Sequence, residues 1–139
     1  MTIPMELQCA SQDFEKFLAE VITQTGLTTR NQAYTTVQGV LQCFRRRLET
    51  EEAIAFANAL PPILRAIFVT DWDLQEPKRP FDTREAMTRE VQALRKDHNF
   101  SPDTAIRDVA AALRRNIDRA HFDRVLATLP KGAEDFWRA

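Results

Sequence analysis

The sequence predicts an all-α protein, two divergent tandem repeats of about four helices each packed into one compact globule. Three observations predict it. Only three glycines occur in 139 residues, so the turn chemistry of β-hairpins is missing. Apolar residues recur three and four apart rather than alternately, which is the period of a helix face. Prolines fall at the edges of these apolar runs, where a helix tolerates them.

From Ser11 the apolar residues are Phe14, Phe17, Leu18, Val21 and Ile22, one helix face, with Ser11 as the expected cap and Gly26 as the left-handed stop. A second helix is expected near Thr28 or Thr29, where Thr29 and Gln32 have capping-box spacing, and carries Ala33, Val37, Val40, Leu41, Phe44 and Leu48. Thr50 precedes the acidic pair Glu51-Glu52 ahead of Ala53, Phe56, Ala57 and Leu60. Pro61-Pro62 must interrupt that helix and open a short one bearing Ile63, Leu64, Ile67 and Phe68. The stretch from Asp71 to Phe81 holds two prolines and no period, so it reads as a linker.

Beyond the linker, Asp82 and Glu85 stand at capping-box spacing before Ala86, Met87, Val91 and Leu94. Ser101-Pro102 predicts an N-cap followed by proline in the first turn, opening a long helix with Ala105, Ile106, Val109, Ala112 and Leu113. Phe122, Val125, Leu126 and Leu129 form a shorter helix, Pro130 interrupts, and Phe136-Trp137 close the pattern. The expected organisation is a single domain over 1–139, with one pseudo-repeat over 11–70, the linker over 71–81 and a second pseudo-repeat over 82–137. A shift of 69 lays Phe56 on Val125, Leu60-Pro61 on Leu129-Pro130 and Ile67-Phe68 on Phe136-Trp137. In the long helix a shift of 72 matches Ala33, Val37 and Leu41 to Ala105, Val109 and Leu113, but 69 also matches apolar to apolar, because three residues is nearly one turn. For the first helices the matching shift is 70, Phe17 and Val21 on Met87 and Val91.

These residues resemble a family. Gly26-Leu27 before a long helix, Val40-Leu41 in its middle, Glu52-Ala53 opening a short helix that ends in Leu60-Pro61, Trp72 in the linker and Leu129-Pro130 in the second pass look like the bacterial proteins grouped as domain of unknown function 2267. The resemblance covers nearly the whole chain. It implies a compact helical duplication and assigns no activity. Where the pattern has a Gly-Glu pair before the second short helix, this chain has Ala120-His121.

At 44% apolar residues, a chain of this length can bury about two thirds of the surface its unfolded form exposes, without disulfide or metal staples. The net charge of −1 supplies no field to hold a polyanion or an anionic membrane, so nucleic acid and membrane are disfavoured as partners. Residues 1–74 are slightly acidic and residues 75–139 slightly basic, an asymmetry that could orient self-association. Cys9 and Cys43 are read as reduced. The stretch from Met1 to Glu6 lacks a secretory signal's basic start and apolar run, and no segment is apolar enough to span a membrane. Cytoplasmic residence is expected.

Catalytic and metal motifs are lacking. His98 and His121, with the two distant cysteines, give no close-spaced zinc set, and Asp71-Trp72-Asp73 begins like a calcium loop but has neither glycine at its sixth position nor glutamate at its twelfth. No metal, cofactor or catalytic residue is expected. Arg45-Arg46-Arg47 and Arg114-Arg115 come late on the two long helices, where cations complement the helix dipole or bind phosphate or an acidic partner. The sequence therefore points to a non-enzymatic module that binds another protein or itself. Its candidate partner surface includes Trp72 and Phe81, aromatics on a connection longer than most helix joints. The alternative for the two tryptophans, Trp72 and Trp137, is that both seal the joint between repeats. A small-molecule or catalytic site between the repeats is the rival function, and a nucleic-acid binder the third.

Overall fold

The computed structural model describes residues 2–139, and among these it contains nine α-helices and no strand. They are α1 (Met5–Gln8), α2 (Ala10–Thr25), α3 (Arg30–Arg45), α4 (Thr50–Ala57), α5 (Pro62–Val69), α6 (Arg84–Ala93), α7 (Ala105–Arg114), α8 (Arg119–Ala127) and α9 (Ala133–Phe136), with a 3-10 turn at Lys96–His98 between α6 and α7. Gly26 ends α2 at φ 74°, a left-handed conformation that costs glycine little. Thr29 caps α3 by accepting from the Gln32 amide, but the Gln32 side chain accepts from Thr28 rather than from Thr29. Pro62 stands in the first turn of α5, where its missing N–H leaves no gap in the ladder.

Three expected caps move, those at Ser11, Asp82 and Ser101, and α4 takes a cap that spacing did not mark. Ser11 lies inside the first turn of α2, which starts at Ala10. Thr50 is the first residue of α4 and Glu49 its cap; the Glu49 amide donates to the Glu52 carboxylate at 2.7 Å. Thr83, not Asp82, caps α6, accepting from the Ala86 amide. Ser101 does not cap α7, which begins at Ala105. Its hydroxyl is paired at 2.8 Å with that of Thr36 in the buried face of α3.

The core is cross-packed. The most extensive helix contacts run between α2 and α7 and between α3 and α6, so the first helix of each half lies along the second helix of the other. Glycine makes the α3–α6 approach close: a methyl group on Gly39 would stand 3.0 Å from both Cγ1 and the carbonyl oxygen of Val91. At the joint, Phe44 packs 4.6 Å from Phe56, 4.9 Å from Phe136 and 5.4 Å from Trp137, while Trp137 stacks on Phe56 and stands edge-on to Phe122. Trp137 is fully buried, and its indole N–H has no acceptor. Burying an indole is favourable by about 4–6 kcal/mol, against roughly 1–3 kcal/mol for one unpaired donor. Packing therefore wins at this position.

Several features recur at a separation of 69 residues. Helices α3 and α7 end at Arg45 and Arg114, and Glu49 and Asp118 cap α4 and α8. Arg45 Nη1 donates to the carbonyl of Phe68 at 2.8 Å, and Arg114 Nε to that of Trp137 at 2.9 Å. At the same separation the buried Val37, Val40, Leu41 and Phe44 correspond to the buried Ile106, Val109, Ala110 and Leu113.

Candidate interaction surface at the linker

The end of α3 and the turn after it place three consecutive arginines at the foot of the linker, and each has a different task. Arg45 is 3% exposed. Its Nη1 bonds the carbonyls of Phe68 and Thr70, orphan acceptors at the end of α5, and its guanidinium lies over the Trp72 ring, 5.4 Å from the centroid. Arg46 reaches Glu76 and Glu90, both at 3.0 Å. Arg47 holds both carboxylate oxygens of Glu90, at 2.9 and 2.8 Å, and also donates to the carbonyls of Cys43 and Pro80. Arg79, from the linker itself, adds a 3.2 Å contact to Glu90, and its amide donates to the Arg46 carbonyl at 2.9 Å.

These bonds clamp the linker to the ends of α3 and α6. Burial works to raise the Glu90 carboxyl, but the hydrogen bonds and charges of Arg47 and Arg46, with the charge of Arg79, outweigh it and hold the group below the usual carboxylate value. Cys43 lies in the same packed region. Burial, reinforced by Glu90 against the neighbouring arginines, pushes its thiol up to about 12. Cys9 and Cys43 are both free.

The arginine run is thus engaged in intramolecular pairs as well as standing at a helix terminus. Glu90 and Glu76, the acceptors that organise it, carry no sequence signal that marks them. A glutamate one residue before a core valine looks like any solvated position until the end of α3 brings two guanidiniums to it, Arg46 and Arg47, and the linker a third, Arg79.

The linker side chains divide into anchored and displayed. Trp72 and Phe81 are both half-buried and packed against the core. Phe81 lies 6.0 Å from the Phe44 ring and over Gly132, where any Cβ would stand 2.7 Å from its ring. Between them Leu74 is 63% exposed, and Val69 at the end of α5 is 45% exposed. Trp72, Leu74, Leu48, Glu49 and Lys78 line a shallow groove of about 140 Å³ beside Arg45 and Arg46. Asp71 opens this segment at φ 55°, outside the usual range of a non-glycine residue.

Residues 14–136 match the family described as Uncharacterized conserved protein (DUF2267). The chain belongs to that family. Among curated proteins, none matches it. The remaining sequence candidates in this DUF2267 member are dispersed. His98 is exposed in the 3-10 turn and His121 in the first turn of α8. Among the described residues no three His, Cys, Asp or Glu side chains converge to hold a metal ion, and no helix is long and apolar enough to cross a membrane.

Proposed function

We propose that this chain is a non-enzymatic, helical protein-interaction module whose binding surface is the linker tip around Trp72 and Leu74. The observation that carries the reading is a segment that is irregular yet held in one shape. Glu76, Arg79 and Pro80 are tied to Arg46, Arg47 and Glu90, while Leu74 and Val69 project into solvent beside a tryptophan stacked on an arginine. A pre-ordered loop surrenders little entropy on binding, and tryptophan and arginine are the side chains that dominate interface energies. Phe81, the other aromatic of the linker, anchors its far end against Phe44 and Gly132.

Two observations weigh against the rival readings. The joint where a small-molecule site between the halves would lie is filled by Phe44, Phe56, Phe122, Phe136 and Trp137. The arginines that could have held a nucleic-acid backbone are engaged with carboxylates and carbonyls of the same chain. The recurrence of caps and core at 69 residues supports a duplicated four-helix unit. Bacterial cytoplasm is the residence we propose, on the family likeness and the two free thiols.

The test is affinity capture from cells of the native host with the wild-type chain, Leu74→Asp and Trp72→Ala, each checked for its melting temperature. Leu74→Asp, at an exposed position, is expected to melt like wild type and to retain less than a tenth of the captured partner. Wild-type capture by both folded variants refutes the reading.

A further inference from the structure

The linker tip has a counterpart farther back along α3, tied to Thr36 in the first half of that helix. There the turn after α6 exposes Arg95, Lys96, Asp97 and His98, and Phe100 is 60% exposed. Arg95 sits at φ 49°, ψ 51°, so this turn, like the one at Asp71, contains a non-glycine residue in the left-handed region. Such residues persist where surroundings over-determine the backbone. Here Asn99 Nδ2 donates to the carbonyls of Val91 and Leu94, Asn99 Oδ1 accepts from the Ser101 amide, and Gln92 holds the Ser101 carbonyl. Neither Arg95 nor Lys96 has an ion-pair partner among the described residues, and neither do Asp71 and Asp73 in the linker. Asp97 in the same turn is likewise without an ion pair among the described residues, so Arg95 and Lys96 leave that turn with one net positive charge. Two ordered loops thus display opposite net charge around an exposed apolar side chain: Asp71 and Asp73 with Leu74 on one, the net cationic turn with Phe100 on the other.

Their positions prevent them from meeting within one molecule. The basic turn is fixed to α3 through Ser101 and Thr36, and the linker through Arg79 and Arg46. Ten helical residues separate these anchor points, about 15 Å along the axis. We infer that the basic turn Arg95–Phe100 of one molecule receives the acidic linker tip Asp71–Leu74 of a second copy of this chain, a head-to-tail contact. The inference rests on the linker reading above and names its partner. A contact between unlike surfaces closes as a reciprocal pair or a ring, or grows into a chain, and each of these raises the mean mass. Two loop tips bury little area, so the association is weak and falls with ionic strength.

Sedimentation of the full chain over a concentration series tests it. Wild type at about 20 mM salt is expected to gain mean mass up to about 1 mM protein, and to lose that gain at about 500 mM salt. Lys96→Glu and Asp73→Lys, both on exposed loops and checked for unchanged helicity, should each weaken association at least tenfold, because each sets like charges against each other. Mixing the two variants should restore it, since each unlike junction then joins opposite charges again. Phe100→Ser should weaken association without changing its salt dependence. A wild type that stays monomeric throughout, or folded charge variants that associate as wild type does and show no gain on mixing, overturns the inference. If wild type is monomeric while Leu74→Asp still loses a captured partner, self-association fails and the linker reading stands. If Leu74→Asp and Trp72→Ala keep the partner, the linker reading fails by itself.

Discussion

Arg47 grips both carboxylate oxygens of Glu90, at 2.9 and 2.8 Å, and joins the turn after α3 to α6, while its bond to the Pro80 carbonyl holds the linker to the same point. The pair is largely shielded, and Arg46 and Arg79 lean on the same carboxylate. Removing one partner of a shielded ion pair is costly because the charge left behind stays desolvated. Glu90→Ala is expected to lower unfolding stability by about 3–5 kcal/mol. Denaturant titration checks this, and a loss below about 1 kcal/mol would mean that the clamp is solvated and contributes little.

The same group sets a pH dependence. The folded carboxyl of Glu90 titrates below its unfolded value, so its contribution is fully present above the unfolded value of about 4.3 and is lost as pH falls through the lower folded value. Stability measured by thermal melting should therefore drop on acidification below about pH 4. Glu90→Gln should melt at a lower temperature at neutral pH and show a shallower drop. Parallel pH profiles for the two proteins would assign the acid lability to other carboxylates.

Two glycines are required for different reasons. Gly39→Ala forces its new methyl into Val91 across the α3–α6 contact, with backbone as well as side chain at 3.0 Å, and should cost about 1–3 kcal/mol. Gly132→Ala adds strain at φ 108° to a collision with the Phe81 ring at 2.7 Å. It should cost more than the first, and Phe81→Ala in the same chain should recover only the collision part. Chemical denaturation of Gly132→Ala, Phe81→Ala and the double variant separates the two effects; a double variant no less stable than Phe81→Ala alone would show that the backbone accommodates alanine.

Cross-packing of α2 on α7 and α3 on α6 makes each half a lid for the other. Unfolding followed by tryptophan fluorescence and by far-ultraviolet circular dichroism should give coincident transitions. A thiol reagent offers a second probe. Cys43 is buried with its thiol pushed up to about 12, so in the folded protein it should react orders of magnitude more slowly than the partly exposed Cys9. Cys43 labelling that tracks a separate, earlier transition would show that the halves part before they melt.

What the sequence by itself determined is local: apolar period, the stops at Gly26 and Pro61-Pro62, the Thr29 cap and the Phe81-bearing linker all depend on neighbours within a turn or two, and they stand in the structure where spacing places them. What only the tertiary structure decided involves partners far along the chain. Ser101 is a sound helix cap by its neighbours, but its hydroxyl is taken by Thr36, 65 residues away, and α7 starts later for it. The three consecutive arginines have no distinguishable fates until the fold brings Phe68, Trp72, Glu76 and Glu90 to them. The choice between shifts of 69 and 72 is invisible to a periodic pattern, since three residues nearly complete a turn. The reach of Arg45 and Arg114 to the carbonyls of Phe68 and Trp137 recurs at 69 residues, a likeness only the structure reveals, because a hydrogen bond selects one atom where hydrophobic packing selects only a face.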